Sequence, residues 1–171
     1  VLNKQDMLQI NKTYDGWELR GLSVSGKYPS VNKQTTDYLV LNFDEQGKLN
    51  DISFTLFKEL YEEYKKSSVT PEEWTRNQIM IKFLEKYRTA YMTRDLSTIE
   101  TLFSDDAVII IGRVLKKQAL NKDIEFKRFG DQPDINYLKY SKNQYLKNLK
   151  KSFEANQDIF LGYNSLKVII K

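Results

Sequence analysis

The fold is decided by residues 102–111, which read LFSDDAVIII. The first residues of this stretch are apolar and end a run with helical periodicity, which Asp105 and Asp106 interrupt. The apolar residues Ala107–Ile111 then predict a buried strand that ends at Gly112. A helix that gives way to a strand in this manner indicates an α+β domain.

Helices are predicted upstream of this stretch. Residues 57–64 carry apolar side chains at helical spacing. Thr70 precedes Pro71 and is followed three residues on by Glu73, the pattern of a capping box with proline at the first helical position. Asp95 predicts the cap of a further, short helix. The long helix between these caps is expected to bury one face, made of Met80, Phe83, Leu84, Tyr87 and Tyr91.

Strands are predicted on the N-terminal side of the helices. Trp17–Val24, Tyr38–Phe43 and Leu49–Leu56 are short apolar-rich runs. Asp44–Gly47 supplies the turn that would join the last two as a hairpin. Leu2–Ile10 is interpreted as another edge strand or as a frayed tail.

The chain downstream of the central strand is harder to interpret. Residues 115–140 are polar, with an extra strand predicted at Ile124–Phe129. Ser141 and Gln144 form a second capping-box pattern, which opens a helix. A final strand is predicted at Ile159–Ile170.

The order of elements from residue 75 to 171 resembles the nuclear transport factor 2-like (SnoaL-like) superfamily. The resemblance is carried by FLEKYRTAY at residues 83–91, by RDL at 94–96 and by LFSDDAV at 102–108. It implies a cone-like, curved antiparallel sheet wrapped by three helices. The superfamily includes isomerases, dehydratases, hydrolases, transport factors and ligand-binding modules, so the fold alone selects no function.

The sheet departs from the superfamily pattern, because only one strand is predicted after the last helix. We therefore divide the chain into a β-rich segment, 1–57, and a nuclear transport factor 2-like segment, 58–171. The first segment completes the sheet, within the chain or by exchange between chains, through Tyr38–Phe43 or Lys48–Leu56, or it is the end of a preceding domain. The chain begins at Val1, so we expect a piece processed or truncated from a longer protein.

The resemblance also implies a pocket between the first long helix and the sheet. Tyr87, Tyr91, Asp105 and Asp106 are its candidate pocket-wall residues. In members similar to ketosteroid isomerase, a helix tyrosine and a carboxylate near the first strand move protons. The simpler interpretation places the tyrosines in the core and the aspartates at a helix end. The favoured function is a non-catalytic ligand-binding or protein-assembly module, and the alternative is an isomerase or dehydratase-like enzyme.

Composition narrows these choices further. The chain of 171 residues contains neither histidine nor cysteine, which excludes histidine-dependent triads, thiol nucleophiles and zinc ribbons. The net charge of +4 is mild, and we interpret the lysine-rich stretches as solvated faces rather than a nucleic-acid site. We expect no transmembrane segment, no cofactor and no metal. The expected partners are a small apolar ligand or a second copy bound through the sheet face or edge, and both a cytoplasmic and an exported location stay open.

Overall fold

The computed structural model describes residues 8–27, 34–56, 58–114 and 135–163, and this part of the chain is an α+β fold. It contains four helices and two antiparallel sheets, of four and two strands. In chain order the elements are β1 (Gln9–Thr13), β2 (Gly16–Lys27), β3 (Gln34–Phe43), β4 (Leu49–Phe54), α1 (Lys58–Ser67), α2 (Pro71–Met92), α3 (Leu96–Leu102), β5 (Val108–Val114), β6 (Ile135–Ser141) and α4 (Lys142–Ala155).

The four-stranded sheet is a meander in the order β1-β2-β3-β4. The predicted hairpin between β3 and β4 is confirmed, and its turn is held by Asp44, whose carboxylate accepts from the Gln46 and Lys48 amides at 3.0 and 2.8 Å. Gly47 completes the turn with a φ of +81°, a conformation that favours glycine. At the other edge β1 begins at Gln9, and residues 2–7 of the expected Leu2–Ile10 strand lie outside the described residues.

The predicted helix caps are confirmed. At the start of α2 the Thr70 hydroxyl accepts from the Glu73 amide, and the Glu73 carboxylate accepts from the Thr70 amide. Asp95 caps α3 by accepting from the Thr98 amide at 3.0 Å. Ser141 opens α4 with the same reciprocal pattern as Thr70. Local sequence therefore sets where these helices begin.

The smaller sheet is a ribbon of β5 and β6. The predicted strand Ala107–Ile111 is present, but it begins at Val108, passes through Gly112 and ends at Val114, because β6 pairs with it along that whole length. The predicted strand Ile124–Phe129 lies outside the described residues. Of the predicted strand Ile159–Ile170, residues 159–163 are described and are not a strand, and the rest lies outside the described residues.

The two sheets are separate in the described part of the chain. The strands expected to complete the C-terminal sheet, β3 and β4, pair within the four-stranded sheet and not with β5 or β6. The reason is packing, since β4 lies on α2 whereas β5 and β6 lie on α4. Completion of a sheet by exchange between chains stays a prediction.

Helix α2 connects two apolar clusters. The first joins α2, α3 and α4 and is built from Ala90, Ile99, Tyr145, Leu149 and Phe153. The second consists of Leu56, Tyr61 and Ile81, with partly buried neighbours that include Leu84. The prediction that Phe83 is buried was wrong, because that side chain is 39% exposed. The helix instead turns a mixed side, with Gln78, Ile81, Glu85 and Arg88, toward the N-terminal strands.

Candidate functional site

The face of the four-stranded sheet that is turned toward α2 is polar. Its buried side chains include Thr13, Glu18, Arg20, Asn42 and Ser53. The strand register places Glu18 opposite Asn42 and places both Arg20 and Ser53 opposite Val40, so these residues share one face. We call this the inner face.

A buried ion pair joins the inner face to α2. The two terminal nitrogens of Arg20 donate to the two carboxylate oxygens of Glu85 at 2.7 and 2.8 Å. Glu18 lies 3.0 Å from Arg20 Nε and accepts a 2.7 Å hydrogen bond from the Tyr61 hydroxyl. The Leu56 amide donates to Glu85 Oε1 at 2.9 Å. Together these contacts tie β2, the end of β4, α1 and α2 to one another.

Burial sets the electrostatics of this group of residues. It raises the pKa of Glu85, while Arg20 and the Leu56 amide act in the opposite sense. Burial alone would lower the pKa of Arg20, but Glu85 and Glu18 outweigh it, so the net shift of that pKa is upward. Burial and the nearby Glu18 carboxylate also raise the pKa of the Tyr61 phenol. The fork of hydrogen bonds therefore holds a charged arginine inside the fold.

A second arginine, Arg88, lies on α2 one helical turn after Glu85. Arg88 donates to both carboxylate oxygens of Asp37, at 3.1 and 2.7 Å. It also donates to the carbonyl oxygens of Thr55 and Leu161, at 2.6 and 3.0 Å. Because every one of these partners belongs to a different segment, Arg88 fastens β3, the end of β4 and the segment after α4 to the helix.

The opposite face of the same sheet is apolar and turned outward. The register aligns one row across all four strands, Ile10–Leu19–Leu41–Ile52. A second row, on the same face, reads Lys12–Trp17–Phe43–Leu49, and a third reads Leu22–Leu39–Phe54, where Arg88 of α2 lies 5.6 Å from the Phe54 ring centroid. We call these eleven residues the outer face.

Solvent reaches much of the outer face. Ile10 is 72% exposed, Ile52 49%, and Trp17 and Leu49 42% each. No outer-face residue belongs to the two apolar clusters found in the described ranges. The sheet is thus inverted relative to the usual arrangement, in which the apolar face is buried and the polar face is solvated.

The two predicted tyrosines lie in a packed aromatic group. The Tyr87 and Tyr145 hydroxyls are 2.5 Å apart and share a hydrogen bond. The centroid of the Tyr87 ring lies 6.0 Å from that of Tyr91 and 5.7 Å from that of Phe103. The ring centroids of Tyr91 and Phe153 are 5.3 Å apart. Burial raises the pKa of both Tyr87 and Tyr91.

The two predicted aspartates lie at the turn before β5. Asp105 and Asp106 line a shallow cavity of about 290 Å³ together with residues from β5 and from the end of β6. Asp105 accepts a 2.8 Å hydrogen bond from Lys142 Nζ, which lowers the pKa of its carboxyl group. Among the described residues, no hydrogen bond or ring contact joins either aspartate to Tyr87 or Tyr91.

Sequence reasoning missed the inner-face ion pair. One signal was available, since Gln78, Ile81, Glu85 and Arg88 follow one another at spacings typical of a single helix face. In the same described ranges, no group of three or more acidic residues could hold a metal ion. No helix in that part of the chain is both long and apolar enough to cross a membrane.

Comparison with known proteins adds no further constraint. Neither a family model, nor a curated protein, nor a solved structure matches this chain. Its function is therefore argued from the geometry of its own side chains.

Proposed function

We propose that this chain is a non-catalytic ligand-binding or protein-assembly module of the nuclear transport factor 2-like type, and that the outer face is its binding surface. One observation carries the proposal: the four-stranded sheet turns a mostly polar face toward α2 and leaves apolar side chains of its other face, among them Ile10, Trp17 and Ile52, exposed to solvent. Contiguous apolar patches on protein surfaces mark interaction sites more often than isolated exposed side chains do.

The energetics of the inverted sheet support this role. Full burial of one aliphatic or aromatic side chain stabilises a protein by about 1.5–3 kcal/mol, and this gain is forgone where Ile10 and Ile52 stay exposed. The inner face meanwhile needs an exact set of partners for its charges, which α2 supplies through Glu85. A sheet built in this way gains the missing apolar burial when another surface covers it.

The superfamily assignment is part of the proposal. It is supported by the order α2, α3, β5 and α4, which follows the resemblance carried by residues 83–91 and 102–108. The cone-like wrapping of the sheet by three helices belongs to the proposal in the same way, with α2, α3, α4 and the β5–β6 ribbon as its elements. The binding surface would take a small apolar ligand or a protein surface, including a second copy bound through the sheet face or edge.

The enzyme alternative has less support from the side chains. It needs a phenol and a carboxylate that face one cavity. The Tyr87 hydroxyl is paired with Tyr145, and the Asp105 carboxylate is paired with Lys142. A module that binds without catalysis requires neither group to be free.

The test is a titration with a fluorescent apolar probe such as anilinonaphthalene sulfonate. Ile10→Lys and Ile52→Lys place a charge on the exposed ends of the outer face, whereas Val69→Lys changes an 87% exposed apolar residue in the α1–α2 connection. We expect the two outer-face variants to reduce probe fluorescence severalfold and the Val69 variant to leave it unchanged, with circular dichroism the same in all. Equal fluorescence in all variants would refute the proposed surface.

A further inference from the structure

We infer that the occupant of the outer face is a second copy of this chain, with the two four-stranded sheets packed face to face about a two-fold axis. The inference rests on the proposed function, since it names the partner of the same surface. It follows from the shape, the size and the charge of the face.

The shape of the outer face favours a sheet over a small molecule. Small-molecule sites are concave and enclose most of the ligand. The outer face is instead one side of a four-stranded antiparallel sheet, with aligned rows of side chains. Such a surface is matched by a second sheet that packs about 10 Å away, with side chains interdigitating.

The size of the face meets the need of a dimer. Four strands about 4.8 Å apart and three rows about 7 Å apart cover, with their side chains, on the order of 500 Å². Two copies would bury about 1,000 Å² in total, which is at the lower limit for a specific interface and typical of a weak, reversible one. We therefore expect a reversible dimer with a micromolar dissociation constant rather than an obligate one.

Charge selects the partner and its orientation. Lys12 is the single charged member of the eleven outer-face residues, and Asp37, in the next row on the same side of the sheet, is already paired with Arg88, so the face offers little to an oppositely charged partner. An axis across the strands would place β1 over β1 and put both Lys12 side chains at the same edge of the interface. An axis parallel to the strands, between β2 and β3, places β1 over β4 and keeps the two lysines at opposite edges.

The second orientation also gives complementary contacts. Within the first row it places Ile10 of one copy over Ile52 of the other, so that the two most exposed ends of the row cover each other. Within the second row it places Trp17 over Phe43 of the other copy. This aromatic pair occurs twice in the dimer, on the two central strands, and large rings are enriched among the residues that contribute most to binding.

The experiment is sedimentation equilibrium of the full chain over a concentration series of about 1–200 μM, a range that brackets a micromolar dissociation constant. We expect a monomer–dimer equilibrium that Ile10→Lys and Ile52→Lys each weaken by about tenfold or more. Val69→Lys should leave the dissociation constant unchanged. A dimer that the outer-face variants do not weaken would overturn the inference.

Orientation has its own readout, because the chain contains no cysteine. A mixture of Ile10→Cys and Ile52→Cys chains, treated with a bis-maleimide that spans about 10 Å, should form the crossed dimer. Ile10→Cys chains alone should give little cross-linked dimer. Efficient linking of Ile10→Cys to itself would overturn the two-fold arrangement.

The outcomes separate the two proposals. A chain that stays monomeric throughout the series overturns the second copy as partner. If its probe fluorescence still falls in the outer-face variants, the proposed binding surface stands and its occupant is something else. If neither association nor probe binding responds to the variants, the proposed function fails together with the inference.

Discussion

Arg20 and Glu85 lie 65 residues apart in the chain and meet through two parallel hydrogen bonds of 2.7 and 2.8 Å inside the fold. Both side chains are almost fully buried. The pair joins the inner face of the N-terminal sheet to α2, so the alternate residues of β2, among them Trp17 and Leu19, are turned toward the outer face.

Removing one partner of this pair should be strongly destabilising. Glu85→Gln leaves the Arg20 charge buried without its counter-charge, so we expect the free energy of unfolding to fall by about 3–5 kcal/mol. Glu154→Gln, on the exposed side of α4, is the matched control and should change it by less than about 0.5 kcal/mol. Urea unfolding followed by circular dichroism measures both.

A double-mutant cycle distinguishes pairing from simple loss of packing. Arg20→Met combined with Glu85→Leu removes both charges and should cost less than the sum of the single substitutions. Additive single and double effects would show that the two charges do not depend on each other.

The Arg88 clamp depends on the shape of the guanidinium group. Arg88→Lys keeps the charge but loses the fork that reaches Asp37 and the Thr55 carbonyl together, so we expect destabilisation of about 1–3 kcal/mol. Arg76→Lys, on the exposed side of the same helix, should be nearly neutral. Thermal and urea unfolding of the pair check this prediction, and an equal response of the two variants would contradict it.

Gly16 at the turn into β2 should tolerate no side chain. Its φ is +148°, and an added Cβ would lie 2.1 Å from the Phe43 carbonyl oxygen. We expect Gly16→Ala to destabilise the sheet by about 2 kcal/mol or more. Gly26→Ala is the control, because no atom lies within 4 Å of its added Cβ. A Gly16→Ala variant as stable as the unchanged chain would show that the Gly16 backbone does not lie this close to the Phe43 carbonyl oxygen.

Acid stability should report on Asp95. Its hydrogen bonds with the side chain and amide of Thr98 lower the pKa of the carboxyl group from 3.8 to about 2. Since the pKa is lower in the folded state, the folded chain binds fewer protons, and this contribution is present above about pH 4. It is lost as pH falls through about 2. We expect Asp95→Asn to flatten the pH dependence of the melting temperature between these values, and an unchanged slope would contradict this role.

Local signals in the sequence were enough for the positions of most elements. The cap pattern at Thr70 and the Asp95 cap predicted the helix starts, and the turn at Asp44–Gly47 predicted the hairpin. Strand β6 was missed, because Ile135–Ser141 is half polar and only weakly buried. The prediction that Phe83 is buried was wrong because helical spacing shows which residues share a face but not whether another element packs against that face.

Less of the candidate site could be predicted from the sequence. Alternation in β2 and β3 separates Glu18 and Arg20 from Trp17 and Leu19, but the same pattern fits either face turned inward. The choice depends on Glu85, which lies on another element far along the chain. The resemblance predicted Tyr87 as a pocket-wall residue. In the structure its hydroxyl is paired with that of Tyr145 and its ring packs against Phe103.

The inverted sheet can be tested most directly with Trp17 as a reporter. The chain has two tryptophans, Trp17 and Trp74, so the Ile10→Lys, Trp74→Phe variant leaves a single one on the outer face of a chain that should be monomeric. Its emission should be red-shifted and readily quenched by acrylamide, because Trp17 is 42% exposed. Blue-shifted emission that resists acrylamide in this variant would place Trp17 inside the fold and contradict the outward apolar face.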